Sequence, residues 1–128
     1  MTSKENTINW FEISVQNLNR AKTFYESIFD IEMTTSNDTG MGGMAFFPME
    51  MGSGKISGSL CQSQSHKPSA DGVKLYLNAN PDLSVVLSKV AENGGKVVMP
   101  KTKITDELGY MAFLLDTEGN SIALHSQK

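Results

Sequence analysis

INWFEISVQNLNRAKTFYESIFDIEMTT, residues 8–35, changes its apolar period partway along, and that change decides the fold. In residues 8–15, Phe11, Ile13 and Val15 alternate with Trp10, Glu12 and Ser14, the period-two pattern of a strand with two unlike faces. One face is apolar. The other carries an indole, a carboxylate and a hydroxyl. Asn17 is an N-cap residue type. From there Leu18, Ala21, Phe24, Tyr25, Ile28 and Phe29 recur at helical spacing. Residues 31–35 read as a short strand, and SNDTGMGG, residues 36–43, reads as a loop.

The same order of elements returns further along. Residues 44–51 and 56–62 are the next two predicted strands, joined by a Gly-Ser-Gly turn at 52–54. Pro48 suits an edge or a bulge, not a central ladder position. QSHKPSADG, residues 64–72, is the segment most like a linker. Then come a strand at 73–79, a helix capped by Asn80 or Asp82 and running to about residue 93, and a stop at Gly94 and Gly95. Strands follow at 96–99, 110–115 and 121–125, the last two joined by the turn at 116–120. Each half therefore reads strand, helix, strand, strand, strand. The fold class is α+β, with module one at about 7–63, the linker at about 64–72 and module two at about 73–126, forming a single domain.

A chain of 128 residues suits one domain with a core of its own. A net charge of −3 argues against a nucleic-acid partner. No apolar run is long enough to span a bilayer, and the first residues, MTSKENTINW, lack the apolar core of a signal peptide. With one cysteine, Cys61, no internal disulfide forms, so a cytoplasmic location is expected. The eight methionines are adaptable core filler or the lining of a cavity that accepts varied shapes.

The segments FEISVQNLNRAKTFYESIFDIEM (11–33), YLNANPDLSVVLSKVAENGGKVVMPKTKI (76–104) and GYMAFLLDTEGNSIALHS (109–126) resemble the glyoxalase-like members of the vicinal oxygen chelate superfamily. That group includes glyoxalase I, extradiol dioxygenases and the bleomycin and fosfomycin resistance proteins. The resemblance implies a curved mixed sheet around a cavity with helices on its outer face. Trp10, Glu12, Ser14, Ser121, Ala123 and His125 would then look inward, and Ile122 and Leu124 would meet a helix.

Metal-using members of the family place a His or Gln on the first strand of a module and a Glu on the last. Carried over residue by residue, the first-strand position falls on Trp10, seven residues before the Asn17 cap, and the last-strand carboxylate falls on Ala123, seven after Asp116. An indole has no lone pair to give a metal, and a methyl group has none either. The strands at 56–62 and 73–79 supply no His or Glu. The expectation is no metal of the usual kind and no other cofactor.

The expected ligand-binding residues are Trp10, Glu12, Phe47, Met49, Tyr76, Asn78, Tyr110 and His125. Trp10 is either a stacking platform or a plug for the cavity. Of the consecutive Phe46 and Phe47, one faces the cavity and one the helix. Glu12 and His125 are the candidates for acid or base chemistry, with an ordinary strand carboxylate and a sheet-edge histidine as the plainer readings. His66 reads as a solvated loop residue. Cys61, with no cationic neighbour in sequence, reads as an inert buried thiol. GMGG at 40–43 fails the strand-to-helix context of a phosphate loop, and the acidic turn at 116–120 lacks the spacing of a calcium loop.

Three functions follow. The leading one is a binding protein for a small apolar or aromatic molecule, without the usual metal. The second is a lyase, isomerase or dioxygenase of the same superfamily. The third is a non-catalytic interaction module. A homodimer is the expected assembly, whether the two modules close on each other or swap across a pair of chains.

Overall fold

The computed structural model describes residues 1–36 and 43–128. The predicted loop at 36–43 and its glycine run fall largely on residues 37–42, outside the described residues. The elements are β1 (Trp10–Ser14), α1 (Leu18–Phe29), β2 (Thr34–Ser36), β3 (Gly43–Phe46), β4 (Ser57–Gln62), β5 (Leu75–Asn78), α2 (Leu83–Leu87), a 3-10 turn (Ala91–Asn93), β6 (Lys96–Thr105), β7 (Gly109–Leu115) and β8 (Ser121–Ser126). They make two four-stranded mixed sheets of matching order, β1-β4-β3-β2 and β5-β8-β7-β6. In each, the first strand runs parallel to the last and the remaining pairs are antiparallel. The sheets do not close into one barrel.

One face of each sheet packs on the helices; the other carries the exposed rings of Trp10 and Tyr76 beside strand residues that are themselves buried, Ser59, Cys61 and Ala123. Ile13 of β1, Val15 just after it, Leu60 of β4, and Ala21, Phe24, Tyr25 and Ile28 of α1 are buried in a shared core. Leu77, Leu83, Val86, Val90, Ala112, Leu114, Ile122 and Leu124 continue that core in module two. Asn17 caps α1 by accepting from the Arg20 N–H at 3.0 Å. Gly58, mid-strand in β4, is required by a close approach: a Cβ there would sit 2.5 Å from the Phe11 ring and carbonyl.

Several boundaries differ from the sequence reading. The second helix spans only Leu83–Leu87 and gives way to a 3-10 turn ending at Gly94. Val85, Val86 and Val90 are poor helix formers, and the Ser88 hydroxyl donates back to the Val85 carbonyl at 3.0 Å. β6 is longer than expected and runs through Pro100. It is an edge strand, and its register shifts between Met99 and Thr102, where the missing proline N–H does no harm. β3 ends at Phe46, just before Pro48, so Met49 lies in the connection to β4 and is half exposed.

The modules are joined by the turn between β7 and β8. Asp116, 4% exposed, accepts from the Tyr25 hydroxyl at 2.7 Å and from the Asn120 side chain at 2.9 Å. Asn120 Nδ2 also donates to the Ser14 carbonyl at 2.8 Å. The Glu118 side chain is fully buried. It accepts from the Gln16 and Asn17 N–H groups at 2.9 and 2.8 Å and from the Arg20 guanidinium at 2.7 and 3.0 Å. Burial alone would raise its pKa. The Arg20 fork, the Asn17 N–H, the Thr117 hydroxyl and the Gln16 N–H outweigh that and hold it at about 2.

Two outcomes are expected. Gly58→Ala should destabilise the fold by roughly 1–3 kcal/mol in urea unfolding, since Phe11 and its own backbone must move. Because the folded Glu118 pKa is depressed, its stabilisation is complete above about pH 4.5 and disappears as pH falls toward 2. The stability gap between the native chain and Glu118→Gln should therefore be up to roughly 3 kcal/mol at pH 7 and shrink steadily below pH 4.5. A gap independent of pH would show that the carboxylate charge plays no part.

Candidate functional site

The parallel ladder between β1 and β4 sets Glu12 beside Ser59 and Ser14 beside Cys61. The antiparallel ladder adds Met44 beside Cys61 and Phe46 beside Ser59. Period two therefore places Trp10, Glu12, Ser14, Phe46, Ser59 and Cys61 on the face away from α1. The Trp10 and Phe46 rings lie 6.1 Å apart, and Trp10 stays 37% exposed. Phe46, not Phe47, is thus the phenylalanine that shares a face with Trp10. Phe47 packs against Phe11 and Tyr25 on the helix side, with centroids 5.5 Å from each.

His66 is not the solvated loop residue that its segment suggests. Its side chain is 14% exposed, and its Nε2 lies 2.9 Å from Glu12 Oε1. Its Nδ1 lies 2.6 Å from the Ser63 hydroxyl. Cys61, 1% exposed, sits behind this chain with its sulfur 3.2 Å from the Ser59 hydroxyl. The ligand atoms of Glu12, Cys61 and His66 lie within 4.8 Å of one another. Burial pushes the Cys61 thiol up, as does the neighbouring Glu12 carboxylate, while the Ser59 hydroxyl acts in the opposite sense. Cys61 is therefore a thiol with ionisable neighbours, which its flanking sequence does not reveal.

On the open face of module two, Tyr76 pairs with Ala123 and Asn78 with His125. Across the sheet, Phe113 pairs with Ala123 and Met111 with His125. Tyr76 meets Phe113 edge-on at 6.2 Å, and Lys74 Nζ lies 4.5 Å above the Phe113 ring. His125 Nε2 donates to the Leu108 carbonyl at 2.6 Å, an acceptor that fixes the proton on that nitrogen. The Asn78 side-chain oxygen Oδ1 accepts from the Asn80 N–H at 2.9 Å. Tyr110 sits elsewhere: it packs on the core beside the helix layer, under Lys101 Nζ at 4.5 Å.

Matching backbone bonds relate the two open faces. The Val15 N–H donates to the Cys61 carbonyl at 3.0 Å, and the Ala79 N–H to the His125 carbonyl at 2.8 Å. Cys61 and His125 therefore occupy corresponding positions, as do Glu12 and Tyr76, and Ser59 and Ala123. Glu12 and His125 belong to different sheets and have different partners.

A cleft of about 470 Å³ separates the β1 edge from the β5 edge. Phe11, Phe29 and Phe47 line it from module one, and Leu75, Tyr76 and Asn78 from module two. Of the residues expected to bind a ligand, Phe47, Tyr76 and Asn78 reach this cleft. Trp10 and Glu12 lie on the open face of module one, His125 on that of module two, and Met49 and Tyr110 on neither.

The positions that the superfamily uses for its metal do not fit one here. Trp10 presents its ring to Phe46, and its ladder neighbour is Ser57. Ala123 is a fully buried methyl group beside Tyr76. Neither Trp10 nor Ala123 supplies an imidazole or a carboxylate.

Residues 7–124 match the model of the Glyoxalase/Bleomycin resistance protein/Dioxygenase superfamily. The glyoxylase candidate CFP32 of Mycobacterium bovis and of Mycobacterium tuberculosis is 28% identical over 124 residues, covering 94% of this chain. The chain spans about half, 46%, of the length of these relatives. Among solved structures, a glyoxalase/bleomycin resistance protein from Albidiferax ferrireducens superposes with a TM-score of 0.73 at 18% identity, covering 96% of this chain and all of that one. TnmS3, an antibiotic binding protein from a Streptomyces species, gives 0.65 at 20% identity, with 96% and 97% covered. A variant of the fosfomycin resistance protein FosX from Listeria monocytogenes, solved with manganese(II) and a dihydroxypropylphosphonic acid, gives 0.63 at 15% identity, with 100% and 95% covered. Two βαβββ modules of matching topology and a family match along nearly the whole sequence lead to one conclusion: the chain belongs to the glyoxalase/bleomycin resistance protein/dioxygenase superfamily.

Proposed function

We propose that this chain is a binding protein for a small apolar or aromatic molecule and works without the metal set usual in its superfamily. The observation that carries the proposal is a pair of exposed aromatic platforms on the two open sheet faces. Trp10, 37% exposed, is backed by Phe46, and Tyr76, 48% exposed, is backed by Phe113. Flat rings with a few polar groups beside them suit a planar ligand. Glu12, Asn78 and His125 are those polar groups, and the apolar cleft beside Tyr76 and Asn78 offers further room. Sequestration of a drug or toxin is one role of this kind, and TnmS3, which shares the fold, is described as antibiotic binding. We place the protein in the cytoplasm, where the single Cys61 thiol stays reduced.

A second reading, lyase or isomerase chemistry, draws on the Glu12–His66–Ser63 chain, in which an imidazole joins a carboxylate to a hydroxyl. Its test is a pH–rate profile on any substrate found. Rates untouched by Glu12→Gln and His66→Gln would remove it.

The assembly proposed is a homodimer. Trp10 and Tyr76 stand exposed on the sheet faces turned away from the helices, and a second copy supplies a surface of the same kind to cover them. Sedimentation velocity should show a species of twice the chain mass. A monomer at all concentrations would reject the pairing and leave a one-chain pocket.

Trp10 is the only tryptophan, so its emission reports on its own face. A panel of planar aromatic antibiotics should include compounds that quench or shift that emission. Trp10→Ala should weaken those compounds by about tenfold or more, read by equilibrium dialysis. Unchanged affinity in the variant would sink the stacking role.

A further inference from the structure

We propose that Glu12, Cys61 and His66 form a zinc site on the open face of module one, distinct from the positions at which the superfamily holds its metal. Three elements converge to build it: Glu12 from β1, Cys61 from β4 and His66 from the segment between the modules. Thiolate, imidazole and carboxylate are a donor set that selects zinc over the harder magnesium or calcium. Their ligand atoms already lie within 4.8 Å of one another. Tetrahedral zinc needs adjacent ligand atoms about 3.3–3.6 Å apart. Glu12 and His66, now 2.9 Å apart, must part by a few tenths of an ångström, while the sulfur contact shortens.

The surroundings favour this set in three ways. Cys61 is rigid, buried in a strand between two neighbours, whereas Glu12 and His66 have side chains at the surface of the face and can adjust. Ser63 holds His66 Nδ1 at 2.6 Å, the outer-shell hydrogen bond that orients a metal-ligating imidazole through Nε2. The hydroxyl donates or accepts, so it serves the imidazole in the free and the metal-bound tautomer alike. Finally, one thiolate and one carboxylate neutralise the dication, so the bound site carries no net charge. On binding, the Cys61 proton leaves to solvent and sulfur gives its lone pair to the metal. Three protein ligands leave a fourth coordination position for water or a ligand oxygen. The site shares Glu12 with the aromatic ligand reading, but its test uses metal ions alone and so reads it separately.

The test uses the full chain, reduced and without a histidine tag. Zinc is titrated in competition with a chromophoric chelator, and cobalt(II) serves as the spectroscopic probe. The native chain should bind one zinc per chain. The cobalt form should show a thiolate-to-cobalt charge-transfer band and the intense visible bands of four-coordination. Cys61→Ser should abolish the charge-transfer band. Cys61→Ser, His66→Gln and Glu12→Gln should each weaken zinc by at least about tenfold, and Ser63→Ala by about tenfold. Should Cys61→Ser fail to fold, His66→Gln carries the test, since that residue lies outside the sheets. Zinc bound no better by the native chain than by His66→Gln, or a cobalt form without thiolate charge transfer, overturns the site. Loss of the zinc result leaves the tryptophan quenching test standing, and the reverse also holds.

Discussion

The buried carboxylates of the β7–β8 turn hold the molecule in its shape. Asp116 and Glu118 belong to module two, yet both accept from module one: Asp116 from the Tyr25 hydroxyl, beside the Glu118 and Asn120 N–H groups of its own turn, and Glu118 from the Gln16 and Asn17 N–H groups and the Arg20 guanidinium. A buried carboxylate without such partners would be costly, so the turn and the start of α1 can fold only against each other. Among the described residues no strand-to-strand ladder joins the two sheets. The polar clamp therefore fixes their relation at one end of the first helix and leaves the β1 and β5 edges apart, with the apolar cleft between them.

That arrangement separates two kinds of surface. The helix side of each sheet is a dry core in which Phe24, Tyr25 and Phe47 interlock edge to face. The opposite side carries the chemistry, and the two modules have diverged there. At corresponding positions module one has Glu12, Ser59 and Cys61, and module two has Tyr76, Ala123 and His125. Module one thus offers ionisable and metal-ligating groups, while module two offers a ring, a methyl group and a histidine already engaged by Leu108. A symmetric scaffold has become a pair of unlike walls: both carry aromatic rings, but only that of module one adds a carboxylate and a thiol.

The local pattern was legible where one physical signal dominated. Alternation through Phe11, Ile13 and Val15 marked the packed face of β1, and the 3.6-residue spacing of Ala21, Phe24, Tyr25 and Ile28 marked the buried stripe of α1. It was less legible where signals competed. Leu83, Val86, Leu87 and Val90 have helical spacing, but the valines and serines around them cut the helix short. Pro100 looks like a strand terminator, yet an edge strand with a bulge accommodates it. Consecutive Phe46 and Phe47 gave no sign of which ring faces which side, because β3 is too short to establish an alternation. Tyr110 read as a wall residue, but its partners in the ladder set it on the core side.

By itself the sequence determined the α+β class, the order of elements and the two-module plan, since periodicity and turn chemistry are properties of residues and their spacing. The neighbourhood of Glu12 was decided only by tertiary structure. A parallel pairing between the first and last strands of a module joins residues 47 apart in sequence, and it sets Glu12 beside Ser59 with Cys61 two pairs further on. The intervening segment then folds back to bring His66 onto the carboxylate. Residues 64–72 look like solvated linker because their composition is polar, and composition carries no information about where a chain returns.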